Sequence, residues 1–159
     1  MAREGLFSSI ADTVAGARVL DLYAGTGALG IEALSRGAES VTFVERNPSA
    51  LRAVALNLER TRMSERARII PTEVLAFLGR DDKPGAPFDL AFADPPYDLP
   101  MDKVGVAMGR LASGWLAGRC WTVALTRRTR SSMPVIPVDW RVARRLEYGD
   151  SLVLVFREV

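Results

Sequence analysis

Gly25-Thr26-Gly27-Ala28-Leu29-Gly30 follows an apolar run, residues 17–23, and opens a helical segment that reaches about Arg36. A G-x-G-x-x-G spacing between a strand and a helix permits few folds. It demands a tight βα turn whose backbone lets a ligand come close, and it belongs to βαβ units of parallel sheets. Glu45 stands twenty residues after Gly25, at the end of the next apolar run, Ser40-Val41-Thr42-Phe43-Val44-Glu45. An acid at that point accepts from ribose hydroxyls, and its charge makes such bonds roughly twice as strong as neutral ones.

The rest of the chain keeps the same alternation. A helix over 2–13 puts Leu6, Phe7 and Ile10 on one face. Gly37 is placed to end the helix after the glycine loop, and Asn47-Pro48 to begin the next, which turns Leu51, Val54, Ala55 and Leu58 inward. Further strands are expected at 68–70, 88–93 and 119–126, with helices at 74–78 and 101–113. Residues 79–87 and 127–139 read as loops, and 142–148 with 151–157 as a hairpin about Gly149-Asp150. Strand–helix alternation followed by a hairpin predicts an α/β, Rossmann-like fold: one domain over 1–159, a mostly parallel seven-stranded sheet, helices on both faces, and one antiparallel C-terminal strand. Ligands bind beyond the carboxyl ends of such strands. Asp21, Glu45, Glu73 and Asp94 all fall at or just past those ends.

Asp21 narrows the choice of nucleoside. It lies inside the first strand, four residues before Gly25. A dinucleotide would set its pyrophosphate at the helix N-terminus, and a carboxylate beside that anion opposes it. S-adenosylmethionine has no phosphate but carries a sulfonium and an α-amino group, so an acid beside the glycine loop favours it. Glu73 could accept from the adenine amine.

Asp94-Pro95-Pro96-Tyr97 ends the fourth strand. The prolines fix φ and remove two backbone donors, which leaves their carbonyls stiffly held. Asp94 adds an acceptor and Tyr97 a flat π face. Together they can hold a planar ring and accept hydrogen bonds from its amine.

Composition excludes several alternatives. Of 159 residues, 48% are apolar and 25% charged, as in ordinary globular proteins. No apolar run reaches the length of a membrane span, and Met1–Phe7 lacks the features of a signal peptide, so a cytoplasmic protein is expected. The chain has no histidine, hence neither the usual general base nor the commonest metal ligand. Its one cysteine, Cys120, excludes an internal disulfide and reads as a buried structural thiol in the fifth strand. The net charge is +2 with a pI near 9.0, and Lys83 and Lys103 are the only lysines. Arginine suits phosphate because it donates in a planar fork, and Arg127, Arg128 and Arg130 are candidates for phosphate contacts.

The ordered motifs resemble those of class I S-adenosylmethionine-dependent methyltransferases. The match is strongest to the family that methylates the exocyclic N2 of one guanine in bacterial small-subunit (16S) ribosomal RNA. It rests on Arg3–Phe7, Leu20–Gly27, Gly30–Ala38, Phe43–Glu45, Asp94–Tyr97 and Tyr148–Ser151. The resemblance implies a cofactor site of Asp21, Tyr23, Ala24, Gly25, Thr26, Gly27, Gly30, Glu45, Arg46, Glu73, Val74 and Asp94. It implies a catalytic group of Asp94, Pro95, Pro96 and Tyr97, no metal, small-subunit ribosomal RNA as partner, no membrane, and a monomer. The family usually carries a basic β-hairpin and an Arg-Pro-Thr-rich segment before the position of Arg3, which helps hold RNA; this sequence starts almost at Arg3. The class more often has Asp at the position of Glu73, and relatives tend to have an acid near Thr126-Arg127. Two other readings share much of the pattern: a DNA adenine N6 methyltransferase, which usually needs a target-recognition insertion, and an inactive cofactor-binding factor in ribosome assembly.

Overall fold

The computed structural model describes residues 3–128 and 132–159. Helix α1 is Arg3–Ser9, and a 3-10 turn, Ala11–Thr13, takes the place of the longer helix expected. Strand β1 (Arg18–Leu22) leads through the glycine loop to α2 (Ala28–Ser35), β2 (Ser40–Glu45) and α3 (Pro48–Arg60). Then come β3 (Ala67–Pro71), α4 (Val74–Leu78), β4 (Leu90–Ala93), α5 (Met101–Leu111), β5 (Thr122–Arg128), β6 (Trp140–Tyr148) and β7 (Ser151–Glu158).

These strands form one sheet in the order β3-β2-β1-β4-β5-β7-β6. The first five pair in parallel, and β7 runs antiparallel between β5 and β6. The chain winds outward from β1 through β2 to β3, then crosses back to β4 on the other side. The switch point therefore lies between β1 and β4, where a ligand crevice is expected.

Each sheet face buries its own apolar cluster. Leu6, Phe7 and Ile10 of α1 and its following turn, Leu34 of α2, and Val54 and Leu58 of α3 pack on one face around Phe43 and Phe92. On the other, Phe77 of α4 and Met108 and Leu111 of α5 pack with Trp115, Trp121 and Trp140. Local signals explain the helix ends. Asn47 Oδ1 accepts from the Ala50 N–H at 3.1 Å, with Pro48 in the first turn. Gly37, at φ 98°, and Ala38 return their N–H groups to Leu34 and Ala33, closing α2 with a Schellman turn.

Three expectations need correction. Ala55 is exposed, because the buried stripe of α3 is narrower than expected and centres on Val54 and Leu58. Cys120 is exposed: β5 begins only at Thr122, which pairs with Leu90. At its other end β5 runs on to Arg128, because Arg127 and Arg128 pair with Leu152 and Ser151 of β7. The expected loop therefore begins later than 127.

Candidate active site

A cleft of about 1040 Å³ opens along the carboxyl ends of β1, β2, β3 and β4. Of the residues expected to bind the cofactor, Asp21, Tyr23, Ala24, Gly25, Thr26, Glu45, Arg46, Glu73, Val74 and Asp94 all line it. Its volume matches the upper range of small-molecule sites.

Gly25 sits at φ 59°, and a Cβ added there would meet nothing within 4 Å. The loop wall is thus open towards a ligand, and a side chain would fill that space. Gly27 and Gly30 lie away from the cleft wall. A Cβ at Gly30 would come within 2.7 Å of Phe43 Cζ and 2.9 Å of Val41 Cγ1, so this position lets α2 settle onto β2. At Gly27 the near atoms are Phe43 Cε1 and Val54 Cγ1, each 3.3 Å away.

Asp21 is 1% exposed and accepts from the Gly30 N–H at 3.1 Å. Burial pushes its carboxyl well above the usual range; the Gly30 bond opposes the rise, while the nearby Asp94 and Glu45 carboxylates add to it. Glu45 is held by three backbone donors: Gly25 N–H at 2.8 Å on Oε1, and Arg46 and Asn47 N–H at 2.9 and 2.8 Å on Oε2. An ionised carboxylate offers about four lone-pair sites, so one on Oε1 is left for a ligand hydroxyl. This bond also ties the glycine loop to the end of β2. Glu73 meets Arg46 at 2.8 Å across the mouth, both largely exposed. Tyr23 takes an uncommon positive φ of 57° directly after β1, and burial raises its phenol to about 12.

Asp94 stands just past β4, across the switch point from Asp21. Its side chain reaches solvent, yet partial desolvation raises its carboxyl above the ordinary value. Pro96 lines the cleft beside it, whereas Pro95 and Tyr97 lie outside the lining. Tyr97 is 79% exposed, and the Arg128 guanidinium lies over its ring at 4.1 Å from the centroid. The rim thus carries a planar cation–π stack beside Asp94.

The other candidate arginines divide. Arg127 is 6% exposed; its Nη2 donates to the Ser132 carbonyl at 2.5 Å and its Nη1 contacts Met101 Sδ. It ties the end of β5 to Ser132 and to Met101 of α5 and is not free to meet RNA, a correction that follows from the extended β5. Arg130 lies outside the described residues. Arg3 and Lys103 line the cleft although the sequence reading gave them no role there. Arg3 begins the motif Arg3–Phe7, whose apolar residues are buried, which leaves Arg3 at the exposed start of α1.

Four carboxylates around one cleft suit a nucleoside that carries positive charge, and they oppose a pyrophosphate at the start of α2. The family of Conserved hypothetical protein 95 matches residues 1–157. This chain belongs to that family. Ribosomal RNA small subunit methyltransferase D of Escherichia coli (strain K12) is 30% identical over 147 residues, 92% of this chain and 71% of that protein. The solved structure of Escherichia coli yhhF is similar at a TM-score of 0.88 and 29% identity, over 99% of this chain and 86% of that one. A conserved hypothetical protein from Streptococcus pyogenes gives a TM-score of 0.86 at 29% identity, over 99% and 96% of the two chains. The family's fold is the class I methyltransferase fold, with its reversed strand beside β5.

Proposed function

We propose that this chain transfers the methyl group of S-adenosylmethionine to the exocyclic N2 amine of a guanine in small-subunit ribosomal RNA. The observation that carries the reading is the placement of Asp94-Pro95-Pro96-Tyr97 at the mouth of an acidic nucleoside cleft, across the switch point from Asp21. The Escherichia coli relative, 30% identical, is a ribosomal RNA small subunit methyltransferase by name, which supports the reading.

The cofactor supplies an electrophilic methyl on a positively charged sulfur. Gly25 leaves room for it, Glu45 offers its remaining acceptor site to a ribose hydroxyl, and Glu73 stands where an adenine amine can donate. Asp21, which lines the cleft, would be held ionised by the positively charged part of the bound cofactor, against the burial that favours its neutral form. A guanine amine is a weak nucleophile because its lone pair is delocalised into the ring. The Asp94 carboxylate and the Pro95 carbonyl accept from its N–H groups, aim the nitrogen and raise its electron density. Asp94 can then hold the proton that the amine gives up. Tyr97 stacks on the base, an interaction worth roughly 1–3 kcal/mol, and alignment of the partners supplies a large part of the remainder, up to roughly 7–11 kcal/mol. The target base must leave its stack to reach this rim.

The test is labelled methyl transfer to three acceptors: small subunits lacking the modification, naked small-subunit RNA, and unmethylated DNA. Label on guanine N2 of the RNA supports the reading; label in DNA alone replaces it with adenine methylation; cofactor binding without any transfer replaces it with a binding role. Asp94→Ala should cut turnover at least about 100-fold and leave cofactor affinity nearly intact. Equal loss of both would make Asp94 a structural residue.

A further inference from the structure

A second cleft, about 440 Å³, lies between α1 with its following turn and the outer hairpin. Arg141, Arg144 and Arg157 line it, with Ser8, Ser9 and Asp12. Its position follows from strand periodicity. Residues three apart on a regular strand face opposite sides of the sheet, so Arg141 and Arg144 should be separated. A β-bulge between Val142 and Arg144 leaves Ala143 without a partner and brings both arginines to the α1 face. Arg157 stands directly opposite Arg141 on β7.

Three guanidinia gather here against one carboxylate. Like charges placed opposite each other across strands are destabilising, and little in the chain relieves them. Asp12 meets Arg157 Nη2 at 3.4 Å, and Arg141 Nε donates to the Glu158 carbonyl at 3.1 Å. Arg157 Nε is buried with no hydrogen-bond partner. Among the described residues, neither Arg144 nor the Ser8 hydroxyl has a partner either. Such a cluster, with forked donors and a small hydroxyl, is built for an anion with several oxygens.

Two elements reach from the cleft to the methyl-transfer rim. Arg128, Ser151 and Tyr148 share one cross-strand row at that rim. Arg144 lies four residues back along β6, a distance of about 13 Å. Helix α1 carries Arg3 at the cofactor cleft and Ser8 at the arginine cleft.

We propose that the cleft of Arg141, Arg144 and Arg157 binds backbone phosphate of the RNA substrate while the target base is held at Asp94. The inference rests on the RNA reading above. Phosphate contacts fix register on a nucleic acid without reading its sequence. Each one lost flattens the dependence of log affinity on log salt by about 0.7–0.9.

The experiment measures binding of small-subunit RNA across a salt series for the wild type, Arg144→Gln, the double variant Arg141→Gln/Arg144→Gln, and Arg145→Gln. Arg145 is the control: it lies next in sequence, on the opposite face, and pairs with Glu147 at 3.4 Å. Binding of S-adenosylhomocysteine and the melting temperature are read on every variant. The expected result is a salt slope lower by about one contact for Arg144→Gln and about two for the double variant, with cofactor affinity and melting unchanged and Arg145→Gln keeping the wild-type slope. Slopes equal to wild type in both cleft variants, or the same loss in Arg145→Gln, overturn the inference while leaving the RNA reading standing. A wild type that binds the cofactor but not this RNA overturns both. Arg144 is exposed and makes no hydrogen bond or ion pair among the described residues, so the single variant stays informative if the double variant melts early.

Discussion

Gly25 and Gly30 belong to one motif, yet the structure gives them different work, and paired alanine substitutions separate the two. At Gly30 the new methyl would press on Phe43 and Val41, both fully buried and unable to swing away. Overpacking of this kind costs up to about 3 kcal/mol. Alanine's better helix propensity returns about 1 kcal/mol, which leaves a net loss of about 2 kcal/mol. For a chain of 159 residues that is a fall of about 4–8 °C in melting temperature. At Gly25 the methyl meets nothing, and only the positive φ of 59° is penalised, by about 1–2 kcal/mol. Stability alone therefore barely distinguishes the two variants. Affinity does: the Gly25 methyl would occupy the cleft wall, whereas the Gly30 methyl lies beneath α2. Urea denaturation gives the stabilities, and calorimetric titration with S-adenosylhomocysteine gives the affinities. Gly25→Ala should weaken binding by about tenfold or more, and Gly30→Ala by no more than about threefold per folded molecule. Wild-type affinity in Gly25→Ala, or an equal loss in both, would refute the assignment of the loop wall.

Asp21→Asn tests the buried acid. The folded-state pKa is raised, so the contribution of Asp21 to stability is fully present below the ordinary carboxylate range and is lost as pH rises through the raised value. The variant should flatten that decline in urea midpoints taken across pH while binding the cofactor less well; parallel curves would show that Asp21 does not titrate this way. Turnover should fall on the acid side as Asp94 takes up a proton, at a pH above the usual carboxylate range because of partial desolvation, and a profile set by an ordinary carboxylate would contradict that. Tyr97→Phe should retain most RNA methylation, whereas Tyr97→Ala should lose stacking worth roughly 1–3 kcal/mol, read in kcat/KM; identical values would leave the aromatic ring without a role. Gly5→Ala should lower the melting temperature, because its methyl would strike the Tyr148 hydroxyl and lie 3.1 Å from Tyr148 Cε1; an unchanged melt would mean that α1 can shift freely on β6.

The parallel half of the sheet was readable because its signals are local and repeated. Four of the five apolar runs carry an acid at or just past their ends, and caps such as Asn47-Pro48 fix where the helices start. These signals set Asp21, Glu45, Glu73 and Asp94 on one rim from the sequence alone. What the sequence hid depends on partners far along the chain. Arg127 reads as a loop residue until β7 pairs with it, and then it is buried. Cys120 sits in an apolar stretch but precedes the first residue paired with β4. Arg141 and Arg144 have a spacing that predicts opposite faces, and only the bulge at Ala143 unites them. Gly30 matches a ligand motif, but whether its missing Cβ faces a ligand or Phe43 is decided by packing.

The insertion of β7 between β5 and β6 has a bearing on how the protein is made. Most of the residues that line the nucleoside cleft come from the first half of the chain, and the stretch from β4 to the start of α5 adds Asp94, Pro96, Leu99 and Lys103. The end of β5 that carries Arg128 gains its antiparallel partner only from residues 151–156, further along the chain. Strands become available in the order in which they are synthesised, and β7 follows all five parallel strands. A nascent chain halted before β7 would have the strands of its cofactor pocket in hand but no brace beneath Arg128 and Tyr97. The substrate-facing edge therefore depends on a strand that leaves the ribosome after every strand of the nucleoside cleft.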